Sequence, residues 1–361
     1  MKKYSSGRES LPKIELVLEG GAYQVAFSVG ALMFIREYLG NLPAREFVSR
    51  IRASSAGIPV GLFFLFDHMD QTHTIFDILT DPHVLKLKRN RPHKGYLNTK
   101  AIVKMMHKIL CHDLDTLKTG TPEFYYPVVN TQTGDTHIIS NQEHERTETY
   151  MFQSAKFPWK SMQAAMSPPI LSNPVKLKLE ADKERFADGQ FGSPFALSAE
   201  ALDLRLKRGH EPEESVRKIY LLTESLDRMP SKTYPLFANI DKKIAKTMQW
   251  IPKEWRGIDE AGLFPPGYHR LFEEYNQLYF RNMALIRHEV QAEKAIVIAP
   301  LKSTKLRSLT RKPQHLYRML SLGYFLARNH APLLLYLNEI KQAYHSGIFV
   351  SLPFESQQKA S

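Results

Sequence analysis

The chain has 361 residues, 43% of them hydrophobic, a formal charge of +12 and one cysteine, Cys111. Length and apolar content together support a large buried core, which excludes a disordered or fibrous protein. A single thiol excludes an intramolecular disulfide framework and fits a reducing compartment, while the basic charge favours an anionic partner: a phospholipid surface, a nucleic acid or an acidic substrate.

Met1 to Pro12 carries Lys2, Lys3 and Arg8 with no apolar stretch behind them, unlike a secretory signal, so residues 1–13 read as a flexible tail. Ile14 to Leu18 is a β-prone run ending in Gly20-Gly21, and Ala26 to Leu39 follows with apolar residues at helical spacing. Phe47 to Ala53 repeats the strand pattern. It breaks at Ser54-Ser55-Ala56-Gly57 and leads into Ile58 to Met69, which the apolar content predicts as a buried helix. Strand–turn–helix thus occurs twice, as in a parallel sheet wrapped by helices. The longest apolar run, Ile58 to Phe66, is well short of the about 20 residues a membrane-crossing helix needs.

Thr99 reads as the N-cap of a helix to Leu110, and Phe124–Asn130 and Thr136–Ser140 flank Thr133-Gly134-Asp135 as a hairpin. Helical patterning is expected again around Tyr150 to Phe157. Pro168-Pro169 interrupts it, and Val175–Leu179 and Arg185–Ala187 are strand-like pieces leading to Asp188-Gly189. Beyond Leu206 the texture changes: Lys218–Thr223 and Ala295–Ala299 are strand candidates, Tyr268–Glu293 is a long amphipathic helix, and two more helices run over Pro313–Asn329 and Pro332–Tyr344.

Three small motifs carry the chemistry. A serine on a sharp turn between strand and helix presents its hydroxyl above the sheet edge, and the following helix aims unpaired N–H groups at it. Ser55 stands at such a turn, with Ala53, Ser54, Ala56 and Gly57 as its small or hydroxyl neighbours. Taken alone, a serine before a helix is more often just an N-cap. Gly20-Gly21 after the first strand let main-chain N–H groups approach an oxyanion, and Asp188-Gly189 places a carboxylate after a strand; by themselves these are an ordinary turn and an ordinary Asp-Gly bend.

In order and spacing the three, with Ser55 34 residues after Gly21 and Asp188 133 residues after Ser55, resemble the patatin-like phospholipase family. The resemblance runs from Ile14 to Leu206. It includes Leu16-Val17-Leu18-Glu19-Gly20-Gly21 through Val29-Gly30-Ala31-Leu32, and Ala164-Ala165-Met166-Ser167-Pro168-Pro169 ahead of Asp188. It implies a three-layer α/β/α fold with a mainly parallel sheet and a catalytic domain over 14–206; the helical pattern beyond Leu206 adds a mostly helical region over 207–361 packed on it. It implies hydrolysis of acyl esters in lipids, phospholipid or lysophospholipid, by Ser55 as nucleophile and Asp188 as its base, with Gly20, Gly21 and Ala22 as the oxyanion loop and no cofactor or metal. Some positions depart from the family pattern: Ala22 and Val25 stand where it has glycine, Gln24 where it has Arg or Lys, Ala53 at the elbow's first glycine, and Gln190 where a small residue is usual. A β-branched residue resists positive φ, so the loop must take a different path or use other donors.

Two alternatives stay open: a lipid-binding protein whose altered loop has ended catalysis, and an α/β-hydrolase triad using His210, His269, His288 or His315. Other features are weaker. His107, Cys111 and His112 share a helix without a further ligand set, so no metal is expected. Lys86, Lys88, Arg89, Arg91 and Lys94 form a basic run suited to a solvated face or to anionic headgroups. Trp250, Trp255, Phe264 and Tyr268 sit among prolines in a stretch that reads as a packed loop or a lid. No zinc-finger spacing, RNA-binding aromatic signature or uniformly basic helix occurs, so no nucleic-acid partner is expected, and the location expected is cytoplasmic with peripheral membrane contact.

Overall fold

The computed structural model describes residues 12–81, 84, 97–117, 122–142, 149–151, 157–169, 171–179, 182–197, 216–226, 267–301 and 312–345. In chain order the elements are β1 (Lys13–Leu18), α1 (Ala26–Leu39), α2 (Ala44–Phe47), β2 (Val48–Ala53), α3 (Gly57–Leu65), α4 (Thr72–Thr80), α5 (Thr99–Leu117), β3 (Glu123–Asn130), β4 (Thr136–Ser140) and β5 (Thr149–Met151). There follow α6 (Phe157–Ala165), β6 (Val175–Lys178), β7 (Lys183–Asp188), β8 (Val216–Leu221), α7 (Gly267–Gln291), β9 (Ala295–Ile298), α8 (Pro313–Arg328) and α9 (Ala331–His345).

One mixed, mostly parallel sheet runs in the order β5-β4-β3-β2-β1-β8-β9, with β7 on β3 and β6 on β7. β3, β2, β1, β8 and β9 are mutually parallel. β1 is an interior strand, buried on both faces, which is why its sequence reads as an apolar run. Its side chains alternate between two cores: Ile14, Leu16 and Leu18 pack with α1, α3 and α8, whereas Val17 packs with Tyr275, Tyr279, Met283 and Ile286 of α7. The sheet is therefore the middle of three layers, the α/β/α arrangement expected. The strands β8 and β9, from beyond residue 207, lie in the same sheet as β1 and β2.

β3 changes partners along its length, and this positions the site. Arg50 to Arg52 of β2 pair with Glu123 to Tyr125, and from Val128 onward β3 pairs instead with β7, Val128 opposite Asp188. The end of β7 is thereby delivered next to the end of β2.

Two local expectations change. The helix expected over Ile58–Met69 stops at Leu65, where Asp67 takes φ 60 and the His68 N–H turns back to the Phe63 carbonyl at 2.8 Å. The apolar run outlasts the helix because its flanking turn is also packed. Around Tyr150 the chain is strand, not helix: Thr149–Met151 pairs with Ile138–Ser140, satisfying what would otherwise be an open sheet edge, and helix begins only at Phe157.

Helices α1 and α8 cross with their backbones in contact. A Cβ on Gly30 would overlap the Leu320 carbonyl, and one on Gly323 would overlap the Phe27 carbonyl. Helix α8 is thus seated directly on the helix behind the Gly20-Gly21 turn.

Candidate active site

The elbow is built from β2 into α3. Ala53 is fully buried, and the Ser54 N–H donates to the Leu18 carbonyl at 3.2 Å, locking the end of β2 to the end of β1. Ser55 takes φ 49, a left-handed conformation uncommon for serine, and α3 starts at once with the Gly57 and Ile58 N–H groups bonded to the Ser54 and Ser55 carbonyls. Gly57 permits this: a Cβ there would stand 3.0 Å from the Leu18 carbonyl oxygen.

Asp188 ends β7 and caps the 3-10 turn Gly189–Phe191, its Oδ1 accepting the Gln190 N–H at 2.9 Å. Its Oδ2 accepts the Ser55 hydroxyl. A Cβ on Gly189 would overlap the Pro127 carbonyl, so only glycine lets this turn lie against β3. Asp188 is 1% exposed, and that burial pushes its carboxyl up to about 7 against the two hydrogen bonds that lower it.

The loop after β1 holds its positive φ at Gly21 (133) and Ala22 (52), while Val25 takes φ −61 at the foot of α1. The β-branched residue is thus spared, and alanine carries the left-handed turn that a third glycine would ease. Of the three residues expected to supply oxyanion donors, Gly20 spends its N–H within the protein, donating to Ser54 Oγ at 3.0 Å, and Ser54 Oγ donates onward to the Pro194 carbonyl at 2.7 Å. The N–H groups of Gly21, Ala22 and Ala56 donate to no described residue.

Beneath the loop lies a feature that sequence reasoning passed over. Glu19, 1% exposed, accepts the Thr223 N–H at 2.7 Å and the Glu224 N–H at 3.3 Å, and the Thr223 hydroxyl donates to the Gly20 carbonyl at 2.6 Å. This clamps the loop to the end of β8. Burial, and then the nearby Glu224 charge, push the Glu19 carboxyl up to about 7. The one signal in the sequence was an acidic residue closing an apolar strand; its partners lie 204 and 205 positions away.

Ser55 borders a cavity of about 60 Å³ between α3, α4 and α5. Tyr23, Val29, Val60, Phe76, Ile102 and Met166 help to line it, and its lining residues are apolar in type apart from Ser55, Thr72 and Tyr23. Phe76 is braced from outside by Tyr317 of α8, ring centroids 5.9 Å apart and edge-on. None of the lining residues is a histidine. His288 is exposed on α7 and His315 half-buried on α8, and the side chains of His210 and His269 lie outside the described residues. His107 packs against Trp159, centroids 4.9 Å apart, and among the described residues no three His, Cys, Asp or Glu side chains form a metal-ligand group. No described helix is long and apolar enough to cross a membrane. The basic run from Lys86 to Lys94 and the aromatic side chains from Trp250 to Tyr268 lie outside the described residues.

No family model matches the sequence, and no curated protein matches it. Among solved structures the chain is similar to VipD from Legionella pneumophila, with a TM-score of 0.38 and 12% identity over 91% of this chain and 67% of that one.

Proposed function

We propose that the chain is a serine acyl hydrolase that cleaves acyl esters of lipids, phospholipid or lysophospholipid, at an anionic membrane surface. The observation that carries this reading is the Ser55 hydroxyl donating to the buried Asp188 carboxylate at the wall of an apolar cavity. In the proposed cycle, Ser55 Oγ attacks the ester carbonyl carbon while its proton passes to Asp188. The tetrahedral oxyanion is held by main-chain N–H groups of Gly21 and Ala22, and its collapse breaks the bond to the alcohol, which takes the proton from Asp188. Water then attacks the acyl-serine, giving its proton to Asp188 and releasing the fatty acid as Ser55 recovers its hydrogen. A carboxyl near 7 suits a group that must accept and return a proton at neutral pH. The apolar wall suits an acyl chain, and the charge of +12 suits an anionic surface.

That Gly20 has given its N–H to Ser54 favours a second reading, a lipid-binding protein with little turnover. One experiment separates them. A lipophilic fluorophosphonate should label the wild type and not Ser55→Ala, in parallel with hydrolysis of a soluble acyl ester. Lipid binding without labelling or hydrolysis would leave only the second reading.

A further inference from the structure

Gln190 departs from the small residue expected after Asp188-Gly189, and it sits directly beside the nucleophile. A Cβ built on Gly20 would overlap Gln190 Oε1, stand 2.8 Å from Gln190 Cδ, and stand 2.7 Å from Ser55 Cβ. The carboxamide of Gln190, the Cα of Gly20 and the side chain of Ser55 therefore meet at one point. Gln190 is held there by its own backbone, whose N–H is bonded to Asp188 Oδ1, so it moves as one unit with the base. The residue is half-buried, and its carboxamide bonds to no described residue. The polar groups of Gly20 and Ser54 beside it are committed: the Gly20 N–H to Ser54, Ser54 Oγ to Pro194, and the Gly20 carbonyl to Thr223.

We propose that the Gln190 side-chain NH₂ donates a hydrogen bond to the substrate carbonyl oxygen as it becomes an oxyanion, standing in for the Gly20 N–H that Ser54 has taken. A carboxamide turned by half a rotation exchanges its oxygen for its nitrogen in the same space, so the group reaches the developing charge without moving its backbone. The role needs a donor aimed at the oxyanion, as a neutral amide is; it leaves Asp188 free as the base. Glycine at position 20 then has a second purpose: any side chain there would occupy the space of the carboxamide. This inference rests on the serine hydrolase reading above.

The test is Gln190→Met, which keeps length and volume and removes the donor. On a soluble acyl ester, kcat should fall about 100-fold with KM within about twofold of the wild type, the pattern of a donor used only in the transition state. A long-chain trifluoromethyl ketone, which forms a tetrahedral adduct with serine, should bind about 100-fold more weakly, while the product fatty acid binds equally well. The melting temperature should stay unchanged. Wild-type kcat in Gln190→Met, or equal ketone affinity, overturns the proposal and leaves Gln190 as packing under Gly20. A wild type that neither hydrolyses ester nor reacts with fluorophosphonate removes the hydrolase reading and this inference together, an outcome the Gln190 variant alone does not produce.

Discussion

Ser55 holds φ 49 and Asp188 holds a carboxylate away from water, so both proposed catalytic residues cost the fold stability. We expect Ser55→Ala and Asp188→Asn each to lower kcat/KM on a soluble ester by about 10⁴-fold with circular dichroism unchanged. Ser55→Gly, which suits the left-handed backbone, should be more stable than Ser55→Ala by about 1 kcal/mol in urea unfolding. The carboxyl of Asp188 gives a second expectation. Its pKa rises from 3.8 unfolded to about 7 folded, so its contribution to stability is fully present below 3.8 and is lost as pH rises through about 7. Asp188→Asn should therefore be more stable than the wild type above pH 7, with the gain shrinking to nothing below pH 4. Activity should run the opposite way, with kcat/KM rising through an apparent pKa near 7 as the base loses its proton. Glu19 titrates in the same range and in the same direction, and comparing each single amide variant separates the two.

At the scale of elements, the site hangs on contacts between segments remote in sequence. Gly30 and Gly323 let α8 lie backbone-to-backbone on α1, and α8 also touches the turn that follows Gly21. Gly30→Ala or Gly323→Ala forces these helices apart. Each should destabilise by about 1–3 kcal/mol in chemical denaturation, and more than a Gly40→Ala control, whose Cβ meets nothing within 4 Å. The Gly40 control has its own strain at φ 64, so the comparison errs against the expectation. The cavity beside Ser55 is closed on one side by Phe76, itself 2% exposed and backed by Tyr317. A cavity of about 60 Å³ has room for about four waters, hence for a short stretch of acyl chain. Phe76→Ala should shift the preferred ester toward longer acyl chains, read as the ratio of kcat/KM for long and short soluble esters. An unchanged ratio would place the acyl chain elsewhere.

Across the whole molecule, the sheet grows to both sides of β1: β2 and β3 on one flank, β8 and β9 on the other. Successive crossovers therefore diverge at the C-terminal end of β1, where Gly20-Gly21 lies, and in open α/β sheets such a reversal point leaves a crevice for ligands. The total charge of +12 acts at this scale too. Binding to vesicles of anionic phospholipid should exceed binding to zwitterionic vesicles and should fall as salt rises from 50 to roughly 500 mM, because screening shortens the reach of the protein's field. Cosedimentation measures this. Salt-independent binding of equal strength to both vesicle types would assign the attraction to apolar contact instead.

The sequence by itself determined the strand–turn–helix units, since alternation and helical spacing follow from how side chains leave a strand or a helix. It also singled out Ser55 as a candidate, because the chemistry of a serine elbow demands small neighbours that remain visible as Ala53, Ala56 and Gly57, and Asp188 only through its order and spacing with Gly20-Gly21 and Ser55. It did not reveal that Ser54 takes the Gly20 N–H, that Glu19 clamps the loop through Thr223, or that Gln190 reaches Gly20. Those are pairings over 34, 204 and 170 positions, made by polar groups with no periodicity to betray them. Nor did local pattern separate strand from helix at Tyr150, where pairing with β4 decided the outcome. Local sequence dictates which backbone states are cheap, whereas hydrogen-bond partners and close glycine contacts depend on which strands become neighbours, and only the assembled sheet decides that.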